Sequence, residues 1–135
     1  MLERRFGRSL GSLDAIFAFV AAFLASDGID RRHAFEIDLI IEELFTNMVK
    51  YSTDGRQEVA ITLERRGDTV TIVLRDFDVE PFDVSRAPRA DVERPIAERA
   101  PGGLGLHLVR QLADSIAYEY RDRTSTIAVT RRLEP

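Results

Sequence analysis

Three polar side chains on one stretch of sequence carry the most chemistry in this chain. In Glu36–Ser52 (EIDLIIEELFTNMVKYS), Glu43, Asn47 and Lys50 stand at i, i+4 and i+7. At 3.6 residues per turn this spacing lines them up on one stripe of a helix. Ordinary polar stripes carry interchangeable charges in opposite-sign pairs. Here a carboxylate is followed one turn on by a neutral amide, and one turn beyond by the only lysine in the chain. A carboxylate can orient or deprotonate a hydroxyl, an amide oxygen suits Mg²⁺, and an ammonium suits phosphate. On a different stripe of the same helix lie Ile37, Ile40, Ile41, Leu44 and Met48, which must face a core.

Two further stretches point the same way. Pro101-Gly102-Gly103-Leu104-Gly105-Leu106 runs into a helical pattern. Glycines at a helix start leave backbone N–H groups open to an anion, which the helix dipole also favours. The stretch has no P-loop lysine and does not follow a strand as a dinucleotide fingerprint does, so neither of those motifs applies. Between these two stretches Asp76 closes an alternating run, followed by Asp78 and Pro81-Phe82-Asp83. A carboxylate at a strand end can cap a turn or accept a hydrogen bond from an exocyclic amine such as that of adenine.

The elements that must position these residues follow from periodicity. Residues 1–9 suit an edge strand or an ordered arm. Ser12 is placed to cap a helix from Leu13, with Leu13, Ile16, Phe17, Val20, Phe23 and Leu24 inward and Asp27-Gly28 as the stop. Asp30 is placed to cap the second helix, which ends near Thr53-Asp54-Gly55. Gln57–Arg65 and Thr69–Arg75 alternate across Arg66-Gly67-Asp68 and read as a hairpin. From Asp76 to Gly103 the periodicity vanishes and four prolines occur, the pattern of a functional lid. Leu104–Ser115 reads as a helix with Leu104, Leu108, Val109 and Leu112 inward. Ile116–Tyr120 and Thr126–Thr130 read as a second hairpin across Arg121-Asp122-Arg123. The order predicts an α/β two-layer sandwich: a mixed, mostly antiparallel sheet covered on one face by three helices.

Composition narrows the function classes. The 135 residues suit one domain, 1–135. A net charge of −4 and scattered Arg pairs do not suit a nucleic-acid binder. The absence of cysteine excludes disulfides, thiol catalysis and Cys-ligated zinc. The longest apolar run, Ala15–Ala25, is too short to span a bilayer, where about 20 residues are needed, so no membrane partner and a cytoplasmic location are expected. His33 reads as a solvated residue or a local cap partner, and His107 as a packing residue. No cluster of His and acids suggests a metal site, so Mg²⁺ arriving with a nucleotide is the one metal expected.

Together, Glu43-x-x-x-Asn47, the Asp-containing turn ending in Pro81-Phe82-Asp83, and Gly102-Gly103-Leu104-Gly105-Leu106-His107-Leu108-Val109 resemble the ATP-binding fold shared by gyrase, Hsp90, histidine kinases and MutL. Within that superfamily, the small size, the Thr46-Asn47 pair and Glu93-Arg94-Pro95-Ile96 look like the anti-sigma factor serine kinases of bacteria. The resemblance runs from about Leu2 to Leu133 and implies a Bergerat-type fold with ATP and Mg²⁺ as cofactors. It implies that Asn47 is the Mg²⁺ ligand and helps place the triphosphate, and that Glu43 is the base or orienting group for the attacking hydroxyl. Asp76 is implied to hold the adenine amine, with Phe82 in the same central turn. Gly102, Gly103, Leu104, Gly105 and Leu106 are implied to wrap the phosphates, and residues 84–101 to form the ATP lid. Lys50 joins the nucleotide set from the helical stripe alone. At one place the chain departs from the family: Asp78 stands where a glycine is usual, and the turn from Asp76 to Phe82 is one residue longer. This brings a side chain and a negative charge toward the base or phosphates, and it leaves Asp76 and Asp78 both open as the adenine contact.

The resemblance implies an ATP-dependent serine/threonine protein kinase that phosphorylates an anti-anti-sigma (STAS-domain) protein and, in another state, binds a sigma factor. It also suggests a homodimer through the apolar surface of the first helix. The rival reading is an ATP-deficient module that sequesters a regulator without catalysis, with Asp78 as its mark. A detached histidine-kinase catalytic domain is a third reading, weakened by the short lid and the lack of a phosphoacceptor domain.

Overall fold

A computed structural model describes residues 1–51, 55–80 and 103–134, with the backbone alone for 103–107. The strands are β1 (Leu2–Phe6), β2 (Val59–Arg66), β3 (Thr69–Phe77), β4 (Ser115–Arg121) and β5 (Thr124–Arg132). The α-helices among the described residues are α1 (Leu13–Ser26), α2 (Ala34–Tyr51) and α3 (Gly103–Leu112). The sheet runs β1-β2-β3-β5-β4, and all four pairings among the described residues are antiparallel, with none of the parallel pairing that a mixed sheet would add there.

Register explains where the core sits. Leu2, Leu63, Ile72, Val129 and Ile116 lie side by side across all five strands. The next row on the same face holds Ile61, Leu74, Ile127 and Tyr118. These apolar rows meet Ile16, Phe19, Val20, Phe23 and Leu24 of α1 and the stripe of α2, giving one continuous core. The opposite face carries Glu3, Thr62 and Arg75, joined by Thr62 Oγ1 donating to Glu3 at 2.8 Å. One face is therefore covered and the other is polar, as period-two alternation requires.

Several local expectations are corrected. Ser12 makes no side-chain cap; its hydroxyl donates to Gly7 O at 2.8 Å, while Ser9 caps a 3-10 turn at Leu10–Ser12. Asp30 caps a second 3-10 turn at Arg31–His33, and α2 starts only at Ala34. Phe19, not Phe17, enters the core, because it meets Phe6 of β1 edge-on with ring centres 5.6 Å apart. His33 is not solvated: it is buried, and its Nε2 accepts from Arg32 Nε at 3.4 Å. α2 runs to Tyr51 among the described residues, and the expected stop at Thr53-Asp54 lies outside them. α3 ends at Leu112, short of Ser115, because the Asp114 N–H turns to donate to Thr130 O of β5 at 2.8 Å.

Two arginines bolt the helix layer to the sheet. Arg131 of β5 donates to Leu112 O at the end of α3 and pairs with Glu36 of α2 at 2.6 Å. Arg8, just after β1, donates to Met48 O near the end of α2 at 3.0 Å and pairs with Asp76 of β3. Both reach carbonyls in the last described turn of a helix, toward the negative end of its dipole.

Candidate functional site

The site is built on α2. The expected apolar stripe is fully inside: Ile37, Ile40, Ile41, Leu44 and Met48 are all buried. This fixes the rotation of α2 and so fixes the polar stripe beside it. Glu43 is half-buried, Lys50 is exposed, and Asn47 is 0% exposed. A fully buried amide must be satisfied or serve a ligand. Asn47 Nδ2 donates to Glu43 O, one turn back, at 2.6 Å. A carbonyl only accepts, so the amide nitrogen must face it, and the orientation of the group is settled by chemistry. Asn47 Oδ1 is then left for another partner; it is buried and accepts no hydrogen bond among the described residues. A hard oxygen held in this way is a suitable single ligand for Mg²⁺, which binds few protein oxygens and keeps the rest of its shell for water and phosphate.

Glu43 shares this environment. Its pKa is raised above the ordinary 4.5, first by desolvation and then by repulsion from Glu42, with Lys50 pulling the other way. A raised carboxylate pKa moves the group toward the range where it can both hold and release a proton near neutral pH.

Asp38, which sequence reasoning passed over, lies on the same helix. Desolvation, followed by Glu42, raises its pKa to about 6 from 3.8, and its buried Oδ1 has no partner among the described residues. The charged form is disfavoured by folding. The resulting penalty is full above pH about 6, fades as the pH falls through about 6, and is gone below 3.8. After allowance for solvent screening of a half-exposed group, Asp38→Asn is expected to stabilise the fold by about 1 kcal/mol at pH 8. Urea denaturation at pH 8 and pH 4.5 checks this, with the gain shrinking at the lower pH.

Asp76 and Asp78 separate clearly. Asp76 follows Val70, Ile72 and Leu74 on the helix-facing side of β3, opposite Ser125 of β5, and is 0% exposed. It is the polar end of an apolar strand face. Asp78 lies past the strand with φ of +54°, and its side chain is 63% exposed. The position usually held by glycine thus keeps a left-handed backbone, which aspartate tolerates better than most side chains. The Asp78 carboxylate pairs with Arg123 Nε at 2.8 Å, and the same guanidinium reaches Glu80 at 3.2 Å. These two bonds push the Arg123 pKa further up, and the added negative charge is taken up at the tip of the β4–β5 hairpin. The tip also grips the backbone: Val79 N–H donates to Arg123 O at 3.0 Å, and Tyr120 Oη donates to Val79 O at 2.6 Å. Asp78→Gly is expected to shift the melting temperature by about 3 °C or less, since the backbone already suits glycine and the ion pair is exposed; differential scanning calorimetry checks it.

α3 begins at Gly103 and packs against α2, so Gly103, Leu104, Gly105 and Leu106 form the first turn of a helix. As the first described turn of α3, they supply the backbone N–H groups that anion binding at a helix start would use. Phe82, Gly102 and the stretch 84–101 lie outside the described residues. Among the described residues no group of three or more His, Cys, Asp or Glu side chains is placed to hold a metal, and no helix is long and apolar enough to cross a membrane.

A family model described as the histidine kinase-like ATPase domain matches residues 7–131. The chain belongs to that family. Solved structures share the fold of this chain. The RsbU and RsbW domains of Rv1364c from Mycobacterium tuberculosis superpose with a TM-score of 0.67 at 19% identity, covering 99% of this chain and 33% of that one. The SiaB–SiaC complex from Pseudomonas aeruginosa gives 0.64 at 12% identity, covering 96% and 88%. In sequence, the serine-protein kinase RsbW of Halalkalibacterium halodurans is 28% identical over 103 residues, 73% of this chain. The aligned part spans 62% of that relative's length.

Proposed function

We propose that this histidine kinase-like ATPase domain is an ATP-dependent serine/threonine protein kinase working as an anti-sigma regulatory factor. Its proposed partners are an anti-anti-sigma protein of the STAS type, as substrate, and a sigma factor. The carrying observation is the buried Asn47 Oδ1, which accepts no hydrogen bond among the described residues, one turn from a half-buried Glu43 with a raised pKa. The sequence similarity to a protein named as a serine-protein kinase supports the same reading.

ATP with its Mg²⁺ supplies, when bound, the transferable γ-phosphoryl group. Asn47 would hold the metal through Oδ1, and Asp76 would accept a hydrogen bond from the adenine amine. The first N–H groups of α3, from Gly103 to Leu106, would face the phosphates; Gly102 and Phe82, proposed as further nucleotide contacts, lie outside the described residues. Lys50 stands on the exposed end of the stripe, where it can meet phosphate or an acidic partner surface. Glu43 would orient a serine or threonine hydroxyl and take its proton onto a carboxylate oxygen. Phosphoryl transfer asks for little covalent help from the protein, so positioning and charge compensation are the main tasks of these residues.

The rival reading, a sequestering module without catalysis, drew its force from the charge of Asp78. With that charge paired to Arg123, the kinase reading is the better supported. The test is incubation with Mg²⁺-ATP and an anti-anti-sigma protein of the STAS type, followed by mapping of phosphate. Phosphoserine or phosphothreonine on the partner is the expected result. A stable complex without transfer, from a protein that binds ATP, would favour sequestration instead.

A further inference from the structure

Asp76 has a charged neighbour that no periodic pattern announces. Arg8 lies between β1 and the 3-10 turn at Leu10–Ser12, and its side chain is only 12% exposed. One guanidinium nitrogen donates to Asp76 Oδ1 and the other to Met48 O, 3.0 Å away. Met48 is the residue after Asn47. The guanidinium also packs against Gly55 so closely that a Cβ there would overlap it. Arg8 therefore ties the carboxylate at the end of β3 to the end of α2 with a fork that lysine could not reproduce at both acceptors.

We propose that Arg8 is the positioning residue of the base pocket, fixing the Asp76 carboxylate so that it selects a purine carrying an exocyclic amine over one carrying an oxo group. The inference rests on the nucleotide reading given above. A carboxylate has two oxygens and about four acceptor sites, so Arg8 at Oδ1 does not exhaust it. With its plane and counter-charge set by Arg8, the group presents only acceptors. An amine of adenine completes such a site, whereas an oxo group sets acceptor against acceptor and leaves both unsatisfied.

The test is equilibrium binding of ATP and of inosine triphosphate, which differ at that position of the base, to the wild type, Arg8→Ala, Arg8→Gln and Arg8→Lys. The wild type is expected to prefer ATP. Arg8→Ala should lose about 10- to 100-fold in ATP affinity, the worth of one hydrogen bond to a charged group, while inosine triphosphate changes by about twofold or less. Arg8→Gln keeps a donor and is the variant to rely on if Arg8→Ala does not fold; it too should lose most of the preference. Arg8→Lys should restore part of it. A parallel loss for both nucleotides, an unchanged preference, or tighter ATP binding by Arg8→Ala would each overturn the inference, the last by showing that Arg8 competes with the base. If the wild type binds neither nucleotide, the nucleotide reading itself fails and takes this inference with it.

Discussion

Glu43→Gln is expected to lower the rate of phosphoryl transfer by about 100-fold or more while changing ATP affinity by no more than about threefold. Glutamine keeps the shape and can still contact the substrate hydroxyl, but it cannot take the proton. The loss should fall on kcat, because the group acts in the transition state and not in nucleotide binding. Burial and Glu42 raise the pKa of Glu43 above 4.5, so the wild-type rate should fall on the acid side at a higher pH than an ordinary glutamate would give. In the Gln variant that acid limb should vanish along with most of the rate. Single-turnover phosphorylation across a pH series measures both effects. An unchanged rate in Glu43→Gln would remove Glu43 from the chemistry and leave it as a half-buried acid of the α2 stripe.

Asn47→Ala is expected to abolish the Mg²⁺-dependent part of nucleotide binding with little damage to the fold. The substitution removes the 2.6 Å bond to Glu43 O, but it also removes Oδ1, a buried acceptor that accepts no hydrogen bond among the described residues. A lost hydrogen bond costs about 1 kcal/mol, and eliminating an unsatisfied buried acceptor returns a similar amount, so the unliganded variant should unfold close to the wild type. The contrast appears on adding ligand. At 100 times the dissociation constant, a ligand stabilises the native state by about 2.7 kcal/mol. The wild type should show this thermal shift with Mg²⁺-ATP, and Asn47→Ala should show no more than it shows with ATP alone. Equal shifts in the two proteins would mean that the amide oxygen holds no metal.

The helix that organises the site was legible because two periodicities coexist on it. Ile37, Ile40, Ile41, Leu44 and Met48 define a buried stripe, and the positions of Glu43, Asn47 and Lys50 beside it follow from helix geometry alone. The hairpins were legible for the same reason at period two, and their turns are the two-residue stretches Gly67-Asp68 and Asp122-Arg123. What sequence left open was anything decided by contacts between distant elements. Phe17 and Phe19 are both large and close in sequence; the nearby ring of Phe6 decides that Phe19 goes in. The choice between Asp76 and Asp78 depends on where β3 stops facing the helices, which is set by its pairing with β5 up to Phe77. Arg8 and Arg123 lie in a connector and a turn, where no periodic signal exists, and their roles come from partners at separations of 68 and 45 residues. The one clue available for Arg8 was indirect: a carboxylate buried on an apolar strand face requires a cation from elsewhere.

The most direct test of the nucleotide reading is a calorimetric titration of the wild-type protein with ATP, in the presence and in the absence of Mg²⁺. Saturable binding that strengthens when Mg²⁺ is supplied is the predicted result. A folded protein that shows no heat of binding up to millimolar ATP would contradict the account and leave a histidine kinase-like fold that works by holding a partner.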